Sequence, residues 1–172
     1  MPHALIAAVG GDTVKAISLF GETYPEVDLV ALVDFDNDCV GTSLKCCEAL
    51  DDRLWGVRLD TSNTLVDKSI VPVMQNYKPV GVTPQLVEMT RKTLDSNGYG
   101  HVKIIVSGGF NPDRIAEFEK RQVPVDAYGV GSYLMRGVNA FTADVVLLNG
   151  KPCAKVGREY SPNSRLELVN SR

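Results

Sequence analysis

The stretch VKIIVSGGFNPD, residues 102–113, decides how this chain folds. Val102–Val106 is a short apolar run without polar alternation, the pattern of a strand covered on both faces. Ser107-Gly108-Gly109 then turns the chain. Asn111-Pro112-Asp113 opens a helix with an N-cap side chain, a proline whose missing N–H costs nothing at the first helical position, and an acidic first turn that suits the helix dipole. A strand ending in glycine and feeding a capped helix is one βα unit.

The same pattern recurs on either side. Ala4–Val9, Leu29–Val33, Trp55–Leu59 and Ala127–Val130 are further apolar runs closed by turn residues. Between them Val40, Leu44, Cys47, Leu50 and Leu54 follow the helical period, as do Leu86, Met89, Thr90 and Leu94. Thr83-Pro84 marks another helix start. Five such strands alternating with helices predict the α/β class, as a partial (β/α) TIM-like barrel of parallel strands. The end of the chain differs. Ala143–Leu148 and Ala154–Val156 flank Asn149-Gly150, a pair that accepts positive φ and so favours a tight antiparallel turn. The expected division is therefore barrel over 1–140 and hairpin with tail over 141–172, the polar tail from Arg158 onward being loosely ordered.

At 172 residues, with 44% hydrophobic and 23% charged residues, the composition is that of an ordinary globular protein. A net charge of −3 offers no electrostatic footprint for nucleic acid or an anionic membrane. No run has the roughly 18 apolar residues of a membrane span, and the N-terminus lacks the basic start of a signal peptide. A cytoplasmic protein is expected. Cys39, Cys46, Cys47 and Cys153 have no metal-binding spacing and read as reduced structural thiols.

Each predicted strand ends in a chemically useful group: Gly10-Gly11-Asp12, Asp34-Phe35-Asp36, Asp60, Ser107-Gly108-Gly109 and Gly131-Ser132. In barrels and open α/β sheets that edge binds ligands. Ser107, Gly108 and Gly109, with Gly129, Gly131 and Ser132 one unit later, form the strongest constellation. Glycine lets the backbone come close to a ligand, and successive N–H groups at a helix N-terminus bind phosphate. Asp34, Asp36, Arg58 and Asp60 form a second group. Carboxylates at strand ends bind ribose hydroxyls or Mg²⁺, and arginine recognises a carboxylate. A purely structural salt bridge of Arg58 with Asp34 or Asp60 is the competing reading. His101 precedes a strand and carries no role.

In Met1-Pro2-His3-Ala4, Gly56-Val57-Arg58-Leu59-Asp60-Thr61, Val106-Ser107-Gly108-Gly109-Phe110, Asp126-Ala127-Tyr128-Gly129-Val130-Gly131-Ser132 and Asn149-Gly150-Lys151-Pro152, the chain resembles the nicotinate phosphoribosyltransferases. The resemblance implies formation of nicotinate mononucleotide and pyrophosphate from nicotinate and phosphoribosyl pyrophosphate, with ATP hydrolysed and Mg²⁺ required. It implies that His3 matches a histidine transiently phosphorylated by ATP. Asp34 and Asp60 match acidic positions around ribose, pyrophosphate and metal, and Arg58 an arginine near the pyridine carboxylate. Gly108, Gly109, Gly129, Gly131 and Ser132 match a 5′-phosphate cradle, with Ser107 beside them. Thr61-Ser62-Asn63 departs from the family's Ser-Gly-Asp and lacks an acidic ligand. The resemblance runs from Met1 to about Gly157, about half of a typical member. The chain is therefore expected to lack an N-terminal half, to act poorly alone and to form a homo-oligomer. Two alternatives stay open: a quinolinate phosphoribosyltransferase-like enzyme, and a non-catalytic fragment that binds a phosphorylated metabolite.

Overall fold

The computed structural model describes residues 1–74, 76–137 and 143–165. They form two compact units, Met1–Arg136 and Gly137–Arg172. In the first, α1 (His3–Ala8) and α2 (Thr13–Thr23) precede β1 (Leu29–Leu32), α3 (Cys39–Leu50), β2 (Leu54–Leu59), α4 (Pro84–Ser96), β3 (Lys103–Val106), α5 (Pro112–Lys120) and β4 (Ala127–Tyr128). The four strands are all parallel and lie in the order β1-β2-β3-β4. Consecutive strands are neighbours with no reversal of order. This is the winding of a (β/α) barrel and not that of a doubly wound sheet, where the order reverses at a switch point.

The first predicted strand, Ala4–Val9, is a helix, so the sheet has four strands and not five. Three of the six residues of α1 are alanine, the best helix former, and only Ile6 is buried. An interior strand would bury nearly every residue. The glycines predicted to end a strand instead end this helix. Gly10 N–H donates to the Ala7 carbonyl at 3.0 Å and Gly11 N–H to that of Ile6 at 2.9 Å, a Schellman closure with Gly10 at φ +86°. Asp12 then caps α2 by accepting from the Lys15 N–H at 2.9 Å.

The other helix starts follow the sequence. The Thr83 side chain accepts from the Leu86 N–H at 3.2 Å, and that of Asn111 from the Arg114 N–H at 2.8 Å. One face of the sheet, including Ala31, Val57, Leu59, Ile104 and Val106, joins Cys47 of α3, Leu86 and Leu94 of α4 and Phe118 of α5 in the main core. On the opposite face the register aligns Leu32, Arg58, Ile105 and Ala127. Arg58, Ile105 and Ala127 are only partly buried there. The strands are thus fully covered on one face, where unbroken apolar runs suggested both.

In the second unit β5 (Leu147–Leu148) and β6 (Lys151–Pro152) pair antiparallel around Asn149 and Gly150, both at positive φ. The predicted turn stands, and its strands are shorter than expected. Ala154–Val156 lies beyond β6, because a two-residue turn pairs Leu148 with Lys151. Of the tail, Arg158 pairs with Asp144 at 2.6 Å, and residues 166–172 lie outside the described residues. No helix among the described residues is long and apolar enough to cross a membrane.

Candidate functional site

Parallel winding brings the C-terminal ends of β1 to β4 to one edge of the sheet, and the candidate residues gather there. Asp34 follows β1 and Asp60 follows β2. Ser107 to Gly109 follow β3, and Gly129 to Ser132 follow β4. Arg58, Asp60, Ser107, Gly108, Gly109, Gly129, Val130, Gly131 and Ser132 line one cleft of about 530 Å³. Larger or better enclosed hollows lie elsewhere, between α4 and α5 for example, but they lack this concentration of strand-end groups.

Two glycines of this cleft, Gly129 and Gly108, sit at points of close approach. A Cβ on Gly129 would stand 3.0 Å from Ser107 Cβ, so a side chain there would press the two turns apart. Gly108, at φ +88°, would place a Cβ 3.3 Å from Asp60 Oδ1. Ser107 donates its hydroxyl to Asp60 Oδ1 at 2.8 Å, and its N–H bonds the Leu59 carbonyl at 2.9 Å. The β2 and β3 ends are thereby stitched together. Among the described residues, nothing accepts from the N–H groups of Gly108, Gly109, Gly131 or Ser132. Unpaired donors on two adjacent turns make a nest for an anion.

At the β1 end, His3 Nε2 lies 3.0 Å from Asp34 Oδ1, across 31 residues of sequence. The histidine side chain is 45% exposed and the Asp34 side chain only 8%. Burial pushes the Asp34 carboxyl above its ordinary value, and the Asp60 charge adds to this; the charge and hydrogen bond of His3 oppose it. Asp36 is exposed and stays outside the group. Arg58 makes no ion pair with Asp34 or Asp60 among the described residues, so the salt-bridge reading is not the arrangement found. Among the described residues its Nη2 reaches only the Met1 carbonyl, at 3.3 Å, and its buried Nε has no partner. Such an arginine keeps donors for a ligand.

Among the described residues no three His, Cys, Asp or Glu side chains gather to enclose a metal ion. The Asp34 and Asp60 carboxylates, close enough to repel, fit the sparse protein share of a Mg²⁺ site, in which water and substrate phosphates supply most ligands.

Two contributors escaped the sequence reading. Buried Asp67, in the long β2–α4 loop, accepts from the N–H groups of Cys39 and Ser69, both at 2.9 Å, and so anchors the start of α3 behind Asp34. Nothing in its local sequence marks it. Arg114 donates to the Gly108 carbonyl at 2.8 Å. Its signal was legible: a cation in the first turn of a helix opposes the helix dipole and asks for a reason.

No protein-family profile matches the chain. Nicotinate phosphoribosyltransferase pncB2 of Mycobacterium tuberculosis is 28% identical over 149 residues, 84% of this chain and 27% of that protein. Nicotinate phosphoribosyltransferase pncB1 of the same organism is 36% identical over 89 residues, 49% of this chain and 19% of that protein. The crystal structure of nicotinate-nucleotide pyrophosphorylase from Pyrococcus furiosus superposes with a TM-score of 0.65 at 37% identity, over 94% of this chain and 38% of that one. This chain is related to the nicotinate phosphoribosyltransferases. It shares the phosphoribosyltransferase fold with that solved structure, and it spans little more than a quarter of the curated relatives' length at most. The βα units at the cleft thus lie in a chain with relatives named for phosphoribosyl transfer.

Proposed function

We propose that this chain carries the phosphoribosyl-binding part of a nicotinate phosphoribosyltransferase, which forms nicotinate mononucleotide and pyrophosphate from nicotinate and phosphoribosyl pyrophosphate. The observation that supports this most is the cleft where Arg58, Asp60 and two glycine turns converge with unpaired N–H donors. In this reading the N–H groups of Gly108, Gly109, Gly131 and Ser132 hold the 5′-phosphate, and Gly129 lets the two turns approach. Asp60, fixed by Ser107, accepts from ribose hydroxyls. Arg58 pairs with the pyridine carboxylate through its free donors.

The reaction breaks the bond from ribose C1 to pyrophosphate and forms one to the pyridine nitrogen, whose lone pair attacks. Charge builds at C1 in an oxocarbenium-like transition state, and the carboxylates of Asp34 and Asp60 stabilise it through a preformed field. Mg²⁺, when bound with the substrate, would neutralise the leaving pyrophosphate, with Asp34 and Asp60 as its protein ligands. His3 is the residue through which ATP hydrolysis is coupled. Asp34 lies 3.0 Å from Nε2 and selects the tautomer with its proton there, which leaves Nδ1 as the nucleophile toward the γ-phosphorus while ADP departs.

The test is pyrophosphate release and nicotinate mononucleotide formation by the purified chain with nicotinate, phosphoribosyl pyrophosphate and Mg²⁺, with and without ATP. Binding of phosphoribosyl pyrophosphate by calorimetry is measured alongside. Failure to bind phosphoribosyl pyrophosphate would overturn the reading at the level of the cleft. Binding without pyrophosphate release would favour the non-catalytic alternative.

A further inference from the structure

Arg114 lies on the far side of the glycine turn from the cleft, and its contacts are unusual for a charged side chain. Nη1 donates to the Gly108 carbonyl at 2.8 Å and Nη2 to the Val82 carbonyl at 2.6 Å. Its guanidinium carbon sits 4.2 Å from the centre of the Phe110 ring. Among the described residues it has no carboxylate partner within ion-pair distance. Burial lowers its pKa, with Glu117 opposing. A cation at the first turn of α5 opposes the helix dipole, so a structural tie alone is a weak account of it.

The peptide plane supplies a better one. In a trans peptide the carbonyl of one residue and the N–H of the next point in opposite directions. Arg114 holds the Gly108 carbonyl, so the Gly109 N–H of the same plane faces away from Arg114. Gly108 and Gly109 both line the cleft and Arg114 does not. A Gly-Gly peptide is also the one most free to rotate. Both residues sit at positive φ, +88° and +82°, where glycine has many accessible neighbours in conformation. Without a clamp this donor would sample orientations facing away from a ligand.

We propose that Arg114 is a positioning residue of the cleft: it fixes the Gly108–Gly109 peptide so that the Gly109 N–H is aimed at a bound phosphate. Its charge on the carbonyl side also polarises that peptide and strengthens the donor. The bond to the Val82 carbonyl, next to the Thr83 cap of α4, gives the clamp a fixed base on the neighbouring βα unit. This rests on the cleft binding phosphate, as proposed above.

The experiment follows backbone amide resonances by ¹⁵N NMR while the chain is titrated with inorganic phosphate, and then with phosphoribosyl pyrophosphate. In the wild type the Gly109 and Gly131 amides move together on binding. In Arg114→Ala the Gly131 amide still moves, the Gly109 response is lost, and affinity falls at least tenfold. Millimolar guanidinium chloride restores the Gly109 response and sodium chloride does not. Arg114→Lys, which keeps the charge but lacks the fork, shows an intermediate loss and replaces Arg114→Ala should that variant fail to fold. Arg121→Ala, removing an exposed cation from the other end of α5, is the control for net charge and leaves binding unchanged. Wild-type binding with the Gly109 response intact in the Arg114 variants overturns the clamp alone. Absence of any amide response in the wild type overturns the phosphate cleft itself, and the clamp with it.

Discussion

Gly131→Asp isolates the electrostatic part of the cleft. A Cβ at Gly131 meets no atom within 4 Å, and the residue does not sit at positive φ, so a side chain enters open space without strain. Stability should change by no more than about 0.5 kcal/mol, as for other unstrained exposed substitutions. The new carboxylate would instead stand beside the phosphate. At about 5 Å with an effective dielectric near 20, each unit of phosphate charge is repelled by about 3 kcal/mol. That is a loss of affinity of roughly a hundredfold or more. Calorimetric titration with phosphoribosyl pyrophosphate measures it, with Gly131→Asn as the uncharged isostere and Gly131→Ala as the minimal side chain. Both controls should bind within a few-fold of the wild type. The Asp deficit should shrink with added salt, because a partly open site is partly screened. A folded Gly131→Asp protein that binds normally would remove Gly131 from the phosphate site. An equal loss in Gly131→Asn would show that bulk and not charge is being read.

Asp60→Asn keeps an acceptor for the Ser107 hydroxyl and removes the charge, so its melting temperature should hold while pyrophosphate release falls well beyond threefold; activity within about threefold, under ~1 kcal/mol, would leave Asp60 a structural role only. His3→Ala should abolish ³²P transfer from γ-labelled ATP to the protein and leave slow ATP-independent transfer; label retained on the variant would point to another acceptor. Asp34 has a raised folded pKa, so its contribution to stability is full below its ordinary value of 3.8 and is lost as pH rises through the raised value. Asp34→Asn should therefore melt at or above the wild-type temperature at pH 7, with the gap closing toward pH 4, and lose activity; calorimetry across that range checks the sign. Gln122, at φ +53°, ends α5 in the left-handed region, with Val123 N–H bonding the Phe118 carbonyl and Gln122 N–H that of Glu119. Gln122→Gly should stabilise the chain by about 0.5–1 kcal/mol in urea unfolding.

The parts of the fold legible in sequence were those in which local chemistry and tertiary role agree. Val102–Val106 is β-branched and apolar at every position but Lys103 and leads into a capped helix, and the structure forms β3 over Lys103–Val106 with α5 after it. Ala4–Val9 is equally apolar, but its alanines favour a helix. A run of apolar residues cannot by itself separate a buried strand from a short helix. The glycines after it suit a ligand turn and a Schellman closure equally, and the structure uses them for the second. Strand ends are visible in sequence, so the placement of Asp34, Asp60 and the glycine turns at one edge of the sheet is legible there. The contact of His3 with Asp34 and the hold of Arg114 on Gly108 were not read from local pattern. The first depends on how α1 lies against β1, the second on a side chain reaching across the loop it supports. Asp36 follows the same strand as Asp34 yet is exposed, because the chain has already turned there: Asn37 N–H bonds the Asp34 carbonyl at 2.9 Å, and strand periodicity no longer orders the side chains.

The cleft is assembled from two kinds of interaction that should fail separately. The proposed phosphate donors are local: each glycine turn directly follows its own strand, and the β3 turn is held by Arg114. The carboxylate pair exists only while β1 and β2 are in register, and it is costly, since burial and mutual repulsion both act against an ionised Asp34. Ser107 is the hinge between the two, bonded to Asp60 on one side and pressed against Gly129 on the other. Loosening β1 should therefore disperse the carboxylates while leaving the two glycine turns in place. A chain of this construction is expected to retain binding of phosphorylated ligands under conditions, such as low urea, in which transfer at the ribose carbon has already been lost.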